Sequence, residues 1–185
     1  MRQDHHYPKR LLAQYEGVMR QSESTPAGAA AAVKCDLARE VLRSFGPIRF
    51  PAIGRSMLPA VWPGDTLVVE GVSPDRVRIG DVVVVGRQGS LCAHRVIGTN
   101  GISENPRWIT QGDALPVPDP PVAEKELLGR VAYLIRRGKL IAVPAELNVA
   151  ESLVAKIVRR SVPVARALVY LRRLVQTPEV LPCPR

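Results

Sequence analysis

The chain is short of aromatic residues, of cysteine and histidine, and of long apolar runs, and each shortage closes off a class of protein. Phe, Trp and Tyr make up 4% of its 185 residues, a poor supply of the stacking platforms on which single-stranded nucleic acid is bound. Three cysteines, Cys35, Cys92 and Cys183, are too few and too scattered for a disulfide framework or a CxxC-type zinc site, which fits a reducing compartment. No stretch reaches the ~18–20 uninterrupted apolar residues that span a bilayer, because arginines interrupt the most hydrophobic C-terminal segment. The first residues carry Arg2, Asp4, Lys9, Arg10 and Glu16 with no apolar h-region, so no secretory signal peptide is read there. These absences lead to the expectation of a cytoplasmic protein whose one route to a bilayer is peripheral contact at the inner face of the membrane.

What is present can build a core. Hydrophobic residues make up 46% of the chain, mostly Val, Leu, Ile and Ala, which excludes disorder over the whole length. The length suits one domain of ~100–150 residues with tails, and 26 Lys and Arg against 17 Asp and Glu give a net charge of +9.

Composition divides the chain into four parts. Residues 1–32 read as a disordered basic lead and Ala-rich linker, in which His5 and His6 lack a third metal ligand nearby. Residues 33–47 read as an amphipathic helix, with Val33, Leu37, Val41, Leu42 and Phe45 at helical spacing and Gly46-Pro47 as the stop. Residues 48–140 change to β character, with Val-rich runs at Thr66–Val69, Val82–Val85, Leu91–Ile97, Trp108–Thr110 and Leu128–Ile135. Turn signals separate them, among them Pro63-Gly64-Asp65, Gly80-Asp81 and Gly112-Asp113. Residues 141–185 form a basic tail of two helical stretches broken at Pro163, with Leu153, Ile157, Leu168, Leu171 and Val175 on apolar positions. Lys156, Arg159, Arg160, Arg166, Arg172 and Arg173 lie between them. Short strands at close spacing predict a mostly β fold, a compact barrel or sandwich with flanking helices.

Chemistry is most legible around Ser56, in Gly54-Arg55-Ser56-Met57-Leu58-Pro59. A serine on a tight turn next to glycine can expose its hydroxyl, and the proline downstream discourages the chain from closing over it. Such a hydroxyl needs a base. With His5 and His6 in the lead, the remaining histidine is His94, on a strand face shared with Cys92 and Val96. A carboxylate would orient its imidazole and stabilise the imidazolium. Asp113, after Gly112 in a turn, and Asp119, among four prolines, are the two candidates, and the residues themselves leave both open.

Taken in order, Gly54–Pro59, Pro63-Gly64-Asp65, Ile79-Gly80-Asp81-Val82-Val83, Ala93-His94-Arg95-Val96-Ile97, Gln111-Gly112-Asp113 and Leu128-Gly129-Arg130-Val131 resemble the catalytic core of the type I signal peptidase and LexA-type superfamily of serine peptidases. The resemblance spans roughly Ile48 to Lys139. It implies a folded β-sheet barrel with short helices at both ends and Ser56 as nucleophile, with Gly54 and Met57 beside it in the substrate site. It puts His94 at the base position, where bacterial signal peptidases and LexA-type proteins have lysine and the endoplasmic-reticulum and archaeal type has histidine. Asp119 then falls at the triad aspartate and Asp113 at a supporting acid. The implied reaction is peptide-bond cleavage through an acyl-enzyme, with the Ser56 backbone N–H as an oxyanion donor and with no metal or organic cofactor. The implied substrate is an extended protein or leader peptide lying along a strand edge, with a small residue near the cut.

Two departures stand out. Gly54 occupies the position where signal peptidases carry a small hydroxyl residue as second oxyanion donor, and no transmembrane tether is present. Two other readings compete. A self-cleaving LexA-type regulator would need a DNA-binding helix-turn-helix, a lysine base and an upstream cleavage site, for which Ala27-Gly28 is the one Ala-Gly pair. An inactive peptidase-like protein would use its C-terminal helices on anionic lipid or on nucleic acid, the latter disfavoured by the scarcity of aromatics. Those helices have two fates open to them: on lipid, or docked on the β domain with their arginines solvated.

Overall fold

Val82-Val83-Val84-Val85 is apolar at every position, a pattern that suits a strand only when both of its faces are covered. In the computed structural model of the chain, which describes residues 26–87, 90–100, 107–160 and 162–175, this segment opens the strand β3 (Val82–Arg87), near the middle of a seven-stranded antiparallel sheet. Val82 and Val84 pack into one core with Leu67, Val69, Leu128 and Val131, whereas Val83 and Val85 pack into another with Val77, Val96, Trp108 and Val122. The alternation of strand side chains between faces makes two cores from one apolar run.

The other strands are β1 (Ile48–Pro51), β2 (Thr66–Glu70), β4 (Ser90–Asn100), β5 (Arg107–Gln111), β6 (Leu127–Arg136) and β7 (Lys139–Ala142). Their order is β1-β2-β6-β3-β4-β5, with β7 paired to β6. The mostly β expectation agrees with this architecture, but the expected barrel closure does not. Among the described residues no strand joins β1 to β5, and the sheet stays open. Register explains the openness: β6 gives Leu127–Arg130 to β3 and Tyr133–Arg136 to β7, while β4 gives Ser90–Arg95 to β3 and only Arg95–Asn100 to β5. The stretch Ser90–His94 therefore has no strand on its second edge among the described residues. β7 follows an Arg137-Gly138 turn with both residues at positive φ, the geometry of a tight two-residue hairpin.

Helix α1 (Pro26–Phe45) starts inside the Ala-rich run that composition had assigned to a linker. Alanine has the highest helix propensity and proline is tolerated at the first helical position, so these residues extend the helix toward the N-terminus. Of the residues at helical spacing, Leu42 is buried in the core. Cys35, Ala38 and Leu42 meet the sheet, and Val33, Leu37 and Phe45 are exposed. Close approach is the reason, because Cys35 lies directly over Gly86, where a Cβ would come within 2.2 Å of the Cys35 sulfur. Where Cys35 crosses Gly86, only a small side chain fits.

At the other end, α2 (Val149–Arg160) and α3 (Val162–Val175) form the two predicted helical stretches, with Pro163 in the first turn of α3 instead of at the break. Asn148 caps α2: its Oδ1 accepts from the Glu151 N–H at 2.8 Å, and the Glu151 carboxylate accepts from the Asn148 N–H at 3.0 Å, a reciprocal capping arrangement. Ala155, Val158 and Ala165 are buried, and the pair docks on Leu58 and Ala114 beside the Ser56 loop. Leu153, Ile157 and Leu171 point to solvent instead, and of the predicted apolar positions Leu168 packs on the docking face with Val154 and Val169. Arg172 stacks on Trp62, 3.8 Å from the ring centroid, and secures α3 to the same loop. None of the described helices is long and apolar enough to cross a membrane.

The Gly86 contact yields a stability test. Gly86→Ala is expected to destabilise the fold by about 1–3 kcal/mol through overpacking against Cys35. Adding Cys35→Ala to Gly86→Ala is expected to recover the larger part of that loss. Urea unfolding of the two single variants and the double variant measures the coupling, and purely additive effects would contradict the packing argument.

Candidate active site

Ser56 sits in a loop between β1 and β2 whose shape is fixed on both sides. Downstream, Met57, Leu58, Ala60 and Val61 are buried, and the Val61 N–H donates to the Met57 carbonyl at 2.9 Å. Asp65 closes the loop. Its carboxylate accepts from the Trp62 N–H at 2.8 Å and from Arg136 at 2.8 and 2.6 Å, and Arg136 also donates to the Ala60 carbonyl at 2.9 Å. The Pro63-Gly64-Asp65 motif is thus a turn whose acid is paired with an arginine from β6. On the other side, the Ser56 carbonyl accepts from the Ala114 N–H at 2.8 Å and lies against Gly112, where a Cβ would approach it to 2.6 Å. Glycine at position 112 is what lets the two turns touch.

His94, only 6% exposed, projects from β4 at the end of its unpaired edge. Its Nε2 is 3.1 Å from Ser56 Oγ and its Nδ1 is 2.6 Å from Asp119 Oδ2. An ionised carboxylate only accepts hydrogen bonds, so Nδ1 carries the proton that it shares with Asp119. In the neutral ring Nε2 is then the acceptor facing the serine hydroxyl. Thr110 Oγ1 donates to the same Asp119 oxygen at 2.7 Å, and the Asp119 N–H donates to the Thr110 carbonyl at 2.8 Å. The aspartate is held by backbone and side chain at once.

The two acids that the residues left open have different neighbours. Asp119 contacts His94. Asp113, 4% exposed, instead receives Arg95 Nε and Nη2, both at 2.8 Å, in a buried bidentate pair. Its part in the site runs through Arg95 and through the turn that holds Ser56, with no contact to the imidazole. Gly54 and Met57 both line an apolar cleft of about 360 Å³ that reaches Ser56, together with Phe50, Leu67, Val84 and Ala93. One wall of this cleft comes from the end of β1 and the other from Leu91–Ala93 on the open edge of β4.

Several contributors were not singled out from the residues. Thr110 lay in a predicted strand with nothing to mark it. Arg95 directly follows His94, and a charged residue on a strand with apolar neighbours was the available signal. Arg87 donates to the Glu126 carboxylate at 2.9 and 3.1 Å and to the Pro120 and Pro121 carbonyls at 3.1 Å each, clamping the proline loop that carries Asp119. Arg159 of α2 donates to the Asp113 carbonyl at 2.9 Å. Among the described residues no group of three or more His, Cys, Asp or Glu is arranged to hold a metal ion; His5, His6 and Cys183 lie outside them.

Cys92 is a second candidate nucleophile, two residues from His94 on the same strand face. Burial, followed by the Asp119 charge, pushes its thiol up to about 11, so it is protonated at neutral pH and a poor nucleophile. Cys92→Ala is therefore expected to keep the reaction of a serine-directed acylating probe with the protein at neutral pH, measured by gel-based labelling. Loss of labelling in this variant would place the reactive group at the thiol. No protein-family model, no curated protein and no solved structure matches the chain, so the chemistry of the site is read from its own geometry.

Proposed function

We propose that this protein is a serine endopeptidase that cleaves an extended segment of a protein or leader peptide through an acyl-enzyme on Ser56. The observation that carries this reading is the continuous hydrogen-bonded series Ser56 Oγ, His94 Nε2, His94 Nδ1 and Asp119 Oδ2, set beside an apolar cleft at an unpaired strand edge. His94 takes the Ser56 proton as the oxygen attacks the scissile carbonyl, and Asp119 stabilises the imidazolium that forms. The proton passes to the leaving amine, and His94 then activates water to release the acyl group. The Ser56 N–H is the oxyanion donor in this scheme, because a turn amide adjacent to the nucleophile is preorganised for the developing charge.

The likeness to the histidine-type signal peptidases supports the same reaction. The regulator reading is weaker, because the Ala27-Gly28 bond lies in the first turn of α1. A peptide bond has to be extended to lie along a strand edge, so that turn would have to unwind before cleavage.

A second reading concerns location. Val149, Leu153 and Ile157 recur at every fourth residue of α2 and are 89%, 59% and 47% exposed, with Lys156 and Arg160 beside them. This pattern supports peripheral contact with anionic lipid. Wild type is expected to sediment with anionic vesicles and a Leu153→Glu/Ile157→Glu variant to remain in the supernatant. Equal recovery of both in the supernatant would reject lipid contact.

Cleavage of a broad peptide library, followed by mass spectrometry, tests the reaction. Ser56→Ala is expected to abolish cleavage, and Asp119→Asn is expected to lower kcat by about ten-thousand-fold, as loss of the orienting carboxylate does in such triads. Undiminished cleavage by Ser56→Ala would overturn the proposal.

A further inference from the structure

Beside the apolar cleft, on the far side of Ile53 and Gly54, lies a second and more open one of about 550 Å³. Its walls are Arg55, which immediately precedes the serine, and Pro63 on one side, with Arg166, Val169 and Tyr170 of α3 on the other. Ile53 and Gly54 line both clefts, so a chain running past Ser56 along the loop passes from one into the other.

The two clefts differ in chemistry. The first is walled mostly by apolar side chains, while the second is lined by two arginines, one from the serine loop and one from α3, and by no acidic side chain among the described residues. Most described arginines near the site are satisfied: Arg95 by Asp113, Arg136 by Asp65, Arg87 by Glu126, Arg130 by Glu70 and Arg159 by the Asp113 carbonyl. Arg55 and Arg166 have no such partner among the described residues. Positive charge also continues along α3, where Arg172 is held below its usual pKa by partial burial and then by Arg136. Two unpaired guanidinium groups lining one groove repel each other, and an anion bound in the groove relieves that repulsion.

We propose that this cleft is a specificity subsite for a carboxylate on the peptide substrate, bound between Arg55 and Arg166 on the opposite side of the scissile bond from the apolar cleft. This rests on the endopeptidase reading above and narrows its substrate class. The substrate is apolar where it enters between β1 and β4 and acidic where it leaves past α3. Arginine suits the second task because its planar fork binds a carboxylate through two parallel hydrogen bonds. Tyr170 adds an aromatic edge and a hydroxyl at the same wall.

The test uses the full chain and a peptide library in which Asp, Asn, Glu, Gln and Lys are exchanged at each position around the cleavage site. An acidic residue on one side of the cut is expected to raise kcat/KM about tenfold over its amide counterpart, the effect of one charge-assisted hydrogen bond. Arg166→Gln is expected to bring that ratio close to one, Arg166→Lys to restore part of it, and Arg166→Glu to favour lysine at the same position. Added salt is expected to shrink the ratio, since both arginines are exposed. Peptides with amidated C-termini separate the two sources of carboxylate: a preference that survives amidation belongs to a side chain, and one that vanishes belongs to the chain end.

Cleavage without acidic preference, or a preference indifferent to Arg166, would overturn the subsite and leave the Ser56 chemistry standing. Binding of Asp-containing against Asn-containing library peptides to the Ser56→Ala protein reads the subsite without turnover. If no peptide is cleaved but the acidic ones bind through Arg166, the peptidase reading falls and the carboxylate site stands. If the acidic peptides do not bind, and anionic vesicles bind in an Arg166-dependent manner, the cleft serves lipid and the subsite is overturned.

Discussion

Arg95 is a buried cation committed on every side, and the site hangs from it. Two of its nitrogens grip the Asp113 carboxylate, and a third reaches the carbonyls of Gly80, Pro144 and Ala145. A charge taken out of water is tolerated only when it is paired and hydrogen-bonded, and removing one partner of such a pair costs about 3–5 kcal/mol. The pairing therefore constrains what surrounds it. It fixes the 112–114 turn against β4, the Ala114 N–H of that turn holds the Ser56 carbonyl, and α2 reaches the same turn through Arg159. One guanidinium next to His94 thus sets the distance between the strand that carries the imidazole and the loop that carries the hydroxyl.

The same device recurs. Arg136 and Asp65 brace the Ser56 loop from downstream, and Arg87 with Glu126 braces the Asp119 loop from below. Ser56, His94 and Asp119 are each carried by a segment pinned through a buried or half-buried arginine. Loops rather than strands supply Ser56 and Asp119, and loops need such anchors to hold a hydrogen-bonding geometry. Each of these arginines is neutralised by its acid, so the positive excess of the composition lies with other cations. Among the described cations without an acidic partner are Arg55 in the serine loop, Lys156 and Arg160 on α2 and Arg166 on α3.

Much of the sheet was legible in the residues because its strands are long or unbroken in their apolar pattern, as in Val82–Val85 and Leu128–Ile135. β1 and β7 were not marked out as strands, since four residues each give too short an alternation to separate from loop. The barrel expectation failed on register: which half of β6 or β4 faces which neighbour depends on bulges such as the one between Val84 and Val85, and no local residue pattern encodes it. The start of α1 was obscured by alanine, which suits a linker by composition and a helix by propensity. For the site, Ser56 and His94 could be named from motif order. The choice between Asp113 and Asp119 could not be made from the residues, because it depends on Arg87 drawing the proline loop toward β4 from a distant point in the chain.

The central claim is that Ser56 is the group that becomes covalently modified and that His94 makes it reactive. Intact-mass and peptide-mapping mass spectrometry after treatment with a serine-directed acylating probe reads this directly. A single adduct mapped to Ser56, absent in Ser56→Ala and greatly reduced in His94→Ala, is the predicted result. No adduct at Ser56 in the folded wild-type protein, or an adduct there that forms equally well without His94, would contradict it.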